Sequence, residues 1–314
     1  MINILTEDNL DKVKDLLDEY VSFLEQEYNL KKSDALSLIM NNIRNENNTY
    51  YVYFDDSTPL GLVGGRKTRI LKDESNITRI FISKKTTDDT IEIKLFEKVF
   101  KDLSTESNTI RIMGYQPSTN LQKILKDYNF QHFDRHYMSI PRETVESLLD
   151  PDLPDGYQFD TWNEDFKNVG IEIITDAHIG SLDNILFSFF RNQATGVAFM
   201  QNLENHQWGE FKPINTSILK HEDKPIGVCF MTVLKQGNGY IPDFALKQDY
   251  KGQGLGRKLF FRSLKWFLEK EPKSEAIDLD VTKKNTIALS IYKKTGFTIQ
   301  RTYSVYVWNK DQSA

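Results

Sequence analysis

The sequence predicts an α/β protein of the mixed-sheet α+β type, built from two tandem domains of one plan. The prediction rests on the chain length, a repeat of strand-like segments, and alternating runs that close each half. A chain of 314 residues is long for one compact α/β unit and comfortable for two, at roughly 100–200 residues per domain. Because 39% of the residues are hydrophobic and 27% are charged, each half can bury an ordinary globular core.

The repeat is clearest in two apolar segments that follow polar turns. Residues 59–63, Pro-Leu-Gly-Leu-Val, match residues 225–229, Pro-Ile-Gly-Val-Cys, at an offset of 166. A looser match pairs residues 80–82 with residues 244–246 at an offset of 164, and both segments precede an amphipathic helix. A repeated order of elements indicates a repeated fold.

The remainder of the repeat ends in a helix stop and a closing run. From Ile110 onward the halves align at an offset of 167, which places Asn129-Phe130 on Gly296-Phe297. Glycine and, less readily, asparagine adopt the left-handed conformation that ends a helix. The alternating runs 132–140 and 299–308 then predict antiparallel strands, so each half is expected to close in a strand pair.

A linker is expected at residues 141–155, where three prolines and several acidic residues cluster. It separates a first domain at residues 1–145 from a second domain at residues 146–314. Each domain is expected to run from helices through hairpin strands and a central strand to a long helix.

Composition argues against several function classes. A net charge of −5, spread along the chain, favours neither nucleic acid nor an anionic membrane as a partner. The N-terminus carries acidic residues where a signal peptide needs a basic start. Cys229 is the only cysteine, which excludes an internal disulfide and a thiolate metal cluster. We therefore expect a cytoplasmic protein without a metal, a nucleic acid or a membrane partner.

A glycine-rich loop in the second half predicts an anion site. Residues 241–246 are predicted to form one buried strand, and the loop 251–257 leads from it into a helix at 258–270. Unpaired N–H groups at a helix N-terminus bind phosphate, and glycines let a pyrophosphate approach them. The spacing of the glycines does not fit the dinucleotide fingerprint, because Arg257 stands where its third glycine is required.

The loop resembles the acyl-CoA signature of the GNAT superfamily of N-acetyltransferases. That signature, Arg/Gln-x-x-Gly-x-Gly/Ala, stands here as Lys251-x-x-Gly254-x-Gly256, with lysine as a departure at its first position. The resemblance continues through a second CoA motif, whose matching residues are Leu279, Asp280, Val281, Asn285, Ala288, Tyr292, Gly296 and Phe297. The tandem layout is similar to that of mycothiol synthase.

The resemblance implies an N-acetyltransferase that uses acetyl-CoA as co-substrate and a small-molecule or peptide amine as acceptor, acting as a monomer or homodimer. The residues implied to bind acetyl-CoA are Phe244, Ala245, Leu246, Lys251, Gly252, Gln253, Gly254, Leu255, Gly256, Arg257 and Asn285. The Leu246 N–H is implied to stabilise the oxyanion.

The resemblance further implies that Tyr292 protonates the leaving thiolate, and we select Asp243, with Tyr240 beside it, as the candidate base. Each has a plainer interpretation, since Tyr292 could only pack its helix and Asp243 could only cap or turn the chain. A non-catalytic acyl-CoA-binding or interaction module is the alternative function.

Other polar and aromatic residues are assigned more modest roles. His178, His206 and His221 lack the spacing of a metal or nucleophile constellation and are expected to be solvated or packed. The aromatic residues near the start of the second half are expected to form a core face, with an apolar acceptor wall as the alternative; they are Phe187, Phe189, Phe190, Phe199 and Trp208, with Met200.

The first half carries a degenerate copy of the loop. At the 164 offset, the three glycines 252, 254 and 256 fall on Asp88, Thr90 and Glu92, and at the 167 offset Tyr292 falls on Leu125. Acidic side chains would repel a pyrophosphate. The first half is therefore expected to be a structural or substrate-shaping domain that does not bind CoA.

Overall fold

The computed structural model describes residues 1–28, 31–68 and 70–310, and it has the predicted mixed α/β fold in two compact units. The first unit consists of residues 1–133 and 303–314, and the second of residues 134–302. No helix among the described residues has both the length and the apolar content needed to cross a membrane.

The first unit contains a mixed sheet with the strand order β1-β2-β3-β4-β6-β16, and β5 pairs with β3 beside β4. Its strands are β1 (Ile2–Leu5), β2 (Asn48–Asp55), β3 (Thr58–Lys67), β4 (Glu74–Ile77), β5 (Phe81–Ile82) and β6 (Thr109–Met113), with the end of β16 (Thr298–Asn309). Its helices are α1 (Lys14–Tyr28), α2 (Lys32–Ile43), α3 (Thr90–Ser104) and α4 (Thr119–Asp127). Helix α3 packs on the sheet through an apolar face that includes Leu95, Phe96 and Val99.

The second unit contains two groups of strands, β7-β15-β13-β12-β9 and β14-β11-β10-β8. Its strands are most of β7 (Gln131–Pro141), then β8 (Tyr157–Thr161), β9 (Glu210–Phe211), β10 (Ser217–His221), β11 (Lys224–Cys229), β12 (Thr232–Val233), β13 (Gly239–Ile241), β14 (Phe244–Leu246) and β15 (Ala276–Thr282). Its helices are α5 (Arg142–Glu146), α6 (Lys167–Ala177), α7 (Leu182–Leu186), α8 (Gln193–Glu204), α9 (Leu255–Lys270) and α10 (Thr286–Thr295).

The predicted repeat is confirmed at the level of single contacts. Gly61 pairs with Ile82 in the first unit, and Gly227 pairs with Leu246 in the second. A Cβ atom at Gly61 would lie 2.8 Å from Leu95 of α3, and one at Gly227 would lie 2.9 Å from Leu259 of α9. Both glycines are therefore required because the long helix of each unit crosses the strand closely at the same place.

The helix stops also repeat. Asn129 and Gly296 have φ angles of 61° and 112°. The Phe130 N–H donates to Leu125 O at 2.9 Å, and the Phe297 N–H donates to Tyr292 O at 3.0 Å. Both α4 and α10 thus end in a left-handed residue that turns the chain into the next strand, as the sequence predicts.

The expectation that each half closes in a pair of strands is wrong. Each half closes in one long strand, β7 or β16, of 11 or 12 residues. Neither run contains the Gly, Asn or internal Pro needed for a tight turn before its end, so neither can fold back as a hairpin.

The two compact units do not follow the sequence halves. Residues 135–141 of β7 pair with β15 in the second unit, whereas residues 305–309 of β16 pair with β6 in the first unit. The segment 141–155, expected as a linker, begins with α5, in which Val145 is fully buried in the core of the second unit. The boundary between residues 145 and 146 therefore has no counterpart in the compact units, because the last strand of each half adds to the other unit.

We predict that Asn129→Ala destabilises the protein by about 1 kcal/mol, whereas Asn129→Gly leaves the free energy of unfolding within about 0.5 kcal/mol of the original. Asn129 is exposed and has a positive φ, so the two variants differ in backbone strain and little else. Urea unfolding followed by circular dichroism measures both values. Equal destabilisation by the two substitutions would contradict a left-handed helix stop.

Candidate functional site

The strands of the second unit separate at Pro242 and Asp243. Strand β13 lies between β12 and β15, but β14, its continuation, pairs only with β11 at the edge of the other sheet. The single strand predicted at residues 241–246 is therefore wrong. Proline cannot donate to a ladder, and at this point the chain passes from the sheet that contains β15 to the sheet that contains β11.

The free edge of β14 carries backbone N–H groups that point away from β11. Residues of an antiparallel ladder alternate between hydrogen-bonded and non-hydrogen-bonded pairs. The Lys247 N–H donates to Ile226 O at 2.9 Å and the Phe230 N–H donates to Asp243 O at 3.0 Å. By this alternation the N–H groups of Phe244 and Leu246 point away from β11, whereas Ala245 pairs with β11 and packs in the core.

The glycine loop ends directly in α9, which begins at Leu255 and not at residue 258 as expected. Gly252 and Gly254 have φ angles of 79° and 78°, a region that other residues enter only with strain. Gly254 is the N-cap. In the described part of the chain, no intramolecular acceptor pairs with the N–H groups of residues 252–257, which form a concave set of donors at a helix N-terminus.

Two polar side chains of this loop donate hydrogen bonds to backbone carbonyls and so fix the loop in place. The Lys251 ammonium donates to Ala177 O, at the end of α6, at 2.7 Å. Burial lowers the pKa of Lys251, against the opposing effect of the Asp176 charge. Gln253 donates to Asp249 O, and the Arg257 guanidinium lies 4.8 Å from the centre of the Phe261 ring. Arg257 is exposed beside the loop.

Tyr292 and Asn285 lie on the next helix, α10. The Tyr292 ring packs against Phe260 of α9, and Phe260 packs against Phe244 of β14, with centroid distances of 5.2 Å in both pairs. Tyr292 is only 9% exposed, and its hydroxyl has no hydrogen-bond partner among the described residues. Burial and then the charge of Asp243 raise the pKa of Tyr292, so the phenol is protonated at neutral pH. Asn285 accepts from the Ala288 N–H and caps α10.

Asp243 is buried between β13 and β14 and is hydrogen-bonded to a histidine. Its Oδ1 atom accepts a hydrogen bond from Nε2 of His178, at the end of α6, at 2.9 Å. Burial by itself lowers the pKa of His178, but the charge and hydrogen bond of Asp243, with the charge of Asp183, outweigh burial and raise it. Sequence spacing missed this pair because 65 residues separate its members. Only the fold brings them together, so no sequence signal marks His178.

A second set of polar residues, on α7, β7 and β15, is held together by its own hydrogen bonds. Asp183 at the start of α7 accepts from Arg135 of β7 at 3.0 Å and from Thr282 of β15 at 3.1 Å. The Arg135 guanidinium also lies 4.9 Å from the centre of the Phe187 ring. Among the aromatic residues singled out in the sequence, Phe190 and Phe199 are buried in a core cluster, which agrees with the core interpretation.

Cys229 is fully buried on β11. Burial is the largest cause that raises the pKa of its thiol, to about 12, and the Asp243 charge acts in the same direction. The reactive form of cysteine is the thiolate, so this thiol is a poor nucleophile.

The corresponding region of the first unit is filled by its own side chains. Asp88 accepts from the Thr90 N–H at 2.9 Å at the start of α3. Glu92, which replaces Gly256, is buried and accepts from the Tyr115 hydroxyl and, at 3.2 Å, from the Ser118 N–H. Leu125, which replaces Tyr292, is buried in the core. Carboxylates therefore lie where the second unit presents free donors.

Comparison with known proteins identifies the class of fold. Residues 182–297 match the model of the Acetyltransferase (GNAT) family. A GCN5-related N-acetyltransferase from Sphaerobacter thermophilus superposes with a TM-score of 0.65 at 11% identity, over 99% of this chain and 95% of that one. A tandem GNAT protein from the clavulanic acid biosynthesis pathway superposes with a TM-score of 0.60 at 10% identity, over 99% of each chain. No curated protein sequence matches the chain.

The chain thus has the tandem GNAT fold over nearly its full length, and residues 182–297 of its second unit match the GNAT acetyltransferase family. All the site residues named from the sequence fall inside residues 182–297. His178 lies just outside that segment.

The raised pKa of His178 predicts a pH-dependent stability. A histidine whose pKa is raised on folding stabilises the folded state fully below the unfolded value, about 6.5, and loses that contribution as pH rises through the folded pKa. We expect the free energy of unfolding to decline above pH 6.5 in the wild type, and this decline to be absent in His178→Gln. Urea titrations between pH 5.5 and 8.5 measure it. The control His221→Gln should retain the decline, and an unchanged slope in His178→Gln would contradict the assignment.

Proposed function

We propose that the protein is an acetyl-CoA-dependent N-acetyltransferase whose acceptor is a primary amine of a small molecule or peptide. The observation that carries the proposal is the set of groups that lie together at β14. They are a backbone edge whose N–H groups point away from β11, a glycine loop at the N-terminus of α9, and the protonated phenol of Tyr292, which Phe260 links to Phe244 of β14 by ring packing. The family match of residues 182–297 supports the same reaction class.

The loop fits the pyrophosphate of acetyl-CoA. The N–H groups of residues 252–257 supply donors, and the partial positive charge of the α9 N-terminus favours an anion. Glycine at 252, 254 and 256 leaves the approach open, and a Cβ at 252 or 254 would meet no atom within 4 Å. Gln253 and Arg257 are exposed at this loop. Leu255 is buried in the core and can offer only its backbone N–H, and Lys251 contributes by fixing the loop to α6.

The β14 edge fits the pantetheine arm and the acetyl carbonyl. Free N–H groups on a strand edge can donate hydrogen bonds to the carbonyls of an extended amide chain, which then binds like an added strand. In this proposal the Phe244 N–H binds the arm and the Leu246 N–H stabilises the oxyanion that forms at the acetyl carbonyl. Asn285, at the start of α10, borders the arm.

The reaction itself consists of attack by the amine, departure of the thiolate, and the accompanying proton transfers. Attack by the amine forms the C–N bond and breaks the C–S bond, and the departing thiolate takes a proton from the Tyr292 hydroxyl. The ammonium form of the acceptor loses one proton before attack, for which Asp243 is the candidate base. The nitrogen loses a second proton after the C–N bond has formed, and this proton restores the Tyr292 phenol. Transfer is direct and has no acyl-cysteine intermediate, because burial keeps Cys229 protonated.

Gly256→Glu should abolish acetyl-CoA binding without unfolding the protein. It introduces the carboxylate that the first unit carries at Glu92, and the added Cβ would lie 3.5 Å from Phe244, an ordinary contact. Repulsion between the carboxylate and the pyrophosphate should weaken binding by about 100-fold or more. Calorimetric titration measures this, and the uncharged Gly256→Gln should lose clearly less affinity. Normal binding by Gly256→Glu would mean that the loop does not hold the pyrophosphate.

Tyr292→Phe should lower kcat by about 10²–10⁴-fold and leave the affinity for acetyl-CoA unchanged, since it removes only the proton donor. Because the hydroxyl has no hydrogen-bond partner among the residues that the structure describes, its loss should cost little stability. The assay follows thiol release from acetyl-CoA with a panel of primary amines. Tyr157→Phe on β8 is the matched control and should keep full turnover.

Two results would count against this assignment. Unchanged turnover of Tyr292→Phe would leave the phenol as a packing group. Binding of acetyl-CoA by the wild type without turnover of any amine would favour the non-catalytic acyl-CoA-binding module.

A further inference from the structure

A cavity of about 140 Å³ lies in the second unit between the middle of α9 and the edge strand β8. None of the residues that line it belongs to the glycine loop or to the region around Asp243. A cavity of about 150 Å³ is large enough to hold benzene, so this one has room for a small organic molecule. Its walls come from β8, β10 and α9, and the lining residues are Phe159, Asp160, Thr161, Ser217, Arg262 and Trp266.

Two neighbouring hydroxyl groups of the cavity have no hydrogen-bond partner among the described residues. Ser217 of β10 is paired with Thr161 of β8, so both side chains lie on one face of the sheet, the face that packs on α9. The Trp162 N–H donates to Thr216 O at 3.0 Å. By alternation, the next pair is not hydrogen-bonded through the backbone, and in such pairs the side chains lie closest. Ser217 is only 2% exposed, and a buried hydroxyl is normally hydrogen-bonded.

Arg262 brings a positive charge to this cavity. Its guanidinium forms no hydrogen bond or ion pair with a described residue, and it lies 4.4 Å from the centre of the Trp266 ring. That ring is fixed, because its Nε1–H donates to Ile214 O at 2.7 Å. The Asp160 carboxylate does not neutralise the guanidinium, since it accepts from Lys220 at 3.1 Å on the opposite face of the strand. The N–H groups of Arg262 are therefore available to an oxyanion.

The equivalent place in the first unit contains a carboxylate. Tyr51 of β2 has the position of Ser217, by the register of the two hairpins. The 164 offset between α3 and α9 places Lys98 at the position of Arg262 and Asp102 at that of the cavity tryptophan. One oxygen of Asp102 accepts from the Lys98 ammonium at 2.8 Å and from the Tyr51 hydroxyl at 2.7 Å. The second unit keeps the cation of the helix and the hydroxyl of the strand, but it has tryptophan where this carboxylate stands.

We propose that this cavity binds the carboxylate of a small organic acid, held by the Arg262 guanidinium and by the hydroxyls of Thr161 and Ser217. The carboxylate of the ligand then has the role that Asp102 has in the first unit. Arginine binds a carboxylate through two parallel N–H···O bonds. Arg262 is the one cation among the described residues that line the cavity, which suits a ligand with a single negative charge.

The site is separate from the glycine loop. Arg262 lies about 12 Å along α9 from Gly254, at a rise of about 1.5 Å per residue. The carboxylate site therefore does not depend on the proposed acetyltransferase function.

The first test is a titration of the full-length protein with benzoate, which joins a carboxylate to a ring of the size that such a cavity holds. The protein contains four tryptophans, and the indole N–H signal of Trp266, assigned with Trp266→Phe, reports on the cavity in a nuclear magnetic resonance spectrum. Benzoate should shift this signal saturably, with a Kd of about 1 mM, and leave the other three unchanged. Benzamide has the same shape and no charge, so it should bind about 10-fold more weakly. Absence of a saturable shift of the Trp266 signal, or equal binding of benzamide, would overturn the proposal.

The second test removes the proposed donors one at a time. Arg262→Gln should weaken benzoate binding about 10-fold or more, and glutamine is well tolerated in a helix. Ser217→Ala and Thr161→Val each remove one hydroxyl and should weaken binding about 2- to 10-fold. Lys265→Gln on the same helix is the matched control, since Lys265 is already paired with Asp150 at 2.8 Å, and it should bind benzoate normally. Unchanged binding by Arg262→Gln, with thermal melting showing an intact fold in each variant, would overturn the proposal.

Two further ligands define the chemistry of the site. Inorganic phosphate should bind more weakly than benzoate, because it makes no apolar contact with the Phe159 and Trp266 rings, and tighter binding of phosphate would contradict a carboxylate site. CoA should leave the benzoate-induced shift unchanged, since the glycine loop lies elsewhere on α9. Displacement of benzoate by CoA would place benzoate at that loop and overturn the proposal. Absence of CoA binding would refute the proposed function and leave the benzoate result standing.

Discussion

The geometry of the second unit depends on one break in its backbone ladder, at Pro242 and Asp243. Before the break, β13 is flanked by β12 and β15; after it, β14 continues with β11 on one side only. Proline removes a backbone N–H donor at the break. The segment that faces it is interrupted at the same place, between β11 and β12. The N–H groups on the edge of β14 and the buried position of Asp243 both follow from this separation of strands. In the first unit β3 is uninterrupted over ten residues, and β4 and β5 both pair with it.

The end of α6 organises the other side of the site. Its last carbonyl accepts from Lys251, Asp176 accepts from the Gln248 N–H at 2.7 Å, and His178 follows directly. Cations and N–H donors at a helix C-terminus satisfy carbonyls that have no partner within the helix. One helix end thus holds the loop proposed to bind pyrophosphate and places His178 beside Asp243.

The two units have the same fold but differ in a few side chains at the start of the long helix, where only the second unit has the proposed binding site. They share the close crossing of a glycine-containing strand by a long helix, and they share the left-handed helix stops. They differ in what meets the helix N-terminus. In the first unit, the Asp88 carboxylate accepts from the Thr90 N–H at the start of α3, and the Glu92 carboxylate in the first turn of α3 accepts from the Ser118 N–H that precedes α4. In the second, glycines leave the donors free. Both arrangements are compatible with a packed core, because α3 and α9 each keep an apolar face toward the sheet.

The sequence determined features that depend on local conformation and periodicity. Glycine and asparagine at the helix ends, the glycine loop before an amphipathic helix, and the paired apolar strands were predictable, because their backbone requirements lie within a few residues. The Tyr292 helix and its Asn285 cap were predictable for the same reason. Features that depend on pairing between distant segments were decided only by the tertiary structure. Residues 134–141 and 303–309 each joined the unit of the other half, since a strand pairs with whichever edge the fold presents. His178 acquired its role only when folding placed it 2.9 Å from Asp243, since a hydrogen bond needs proximity that a 65-residue separation does not encode.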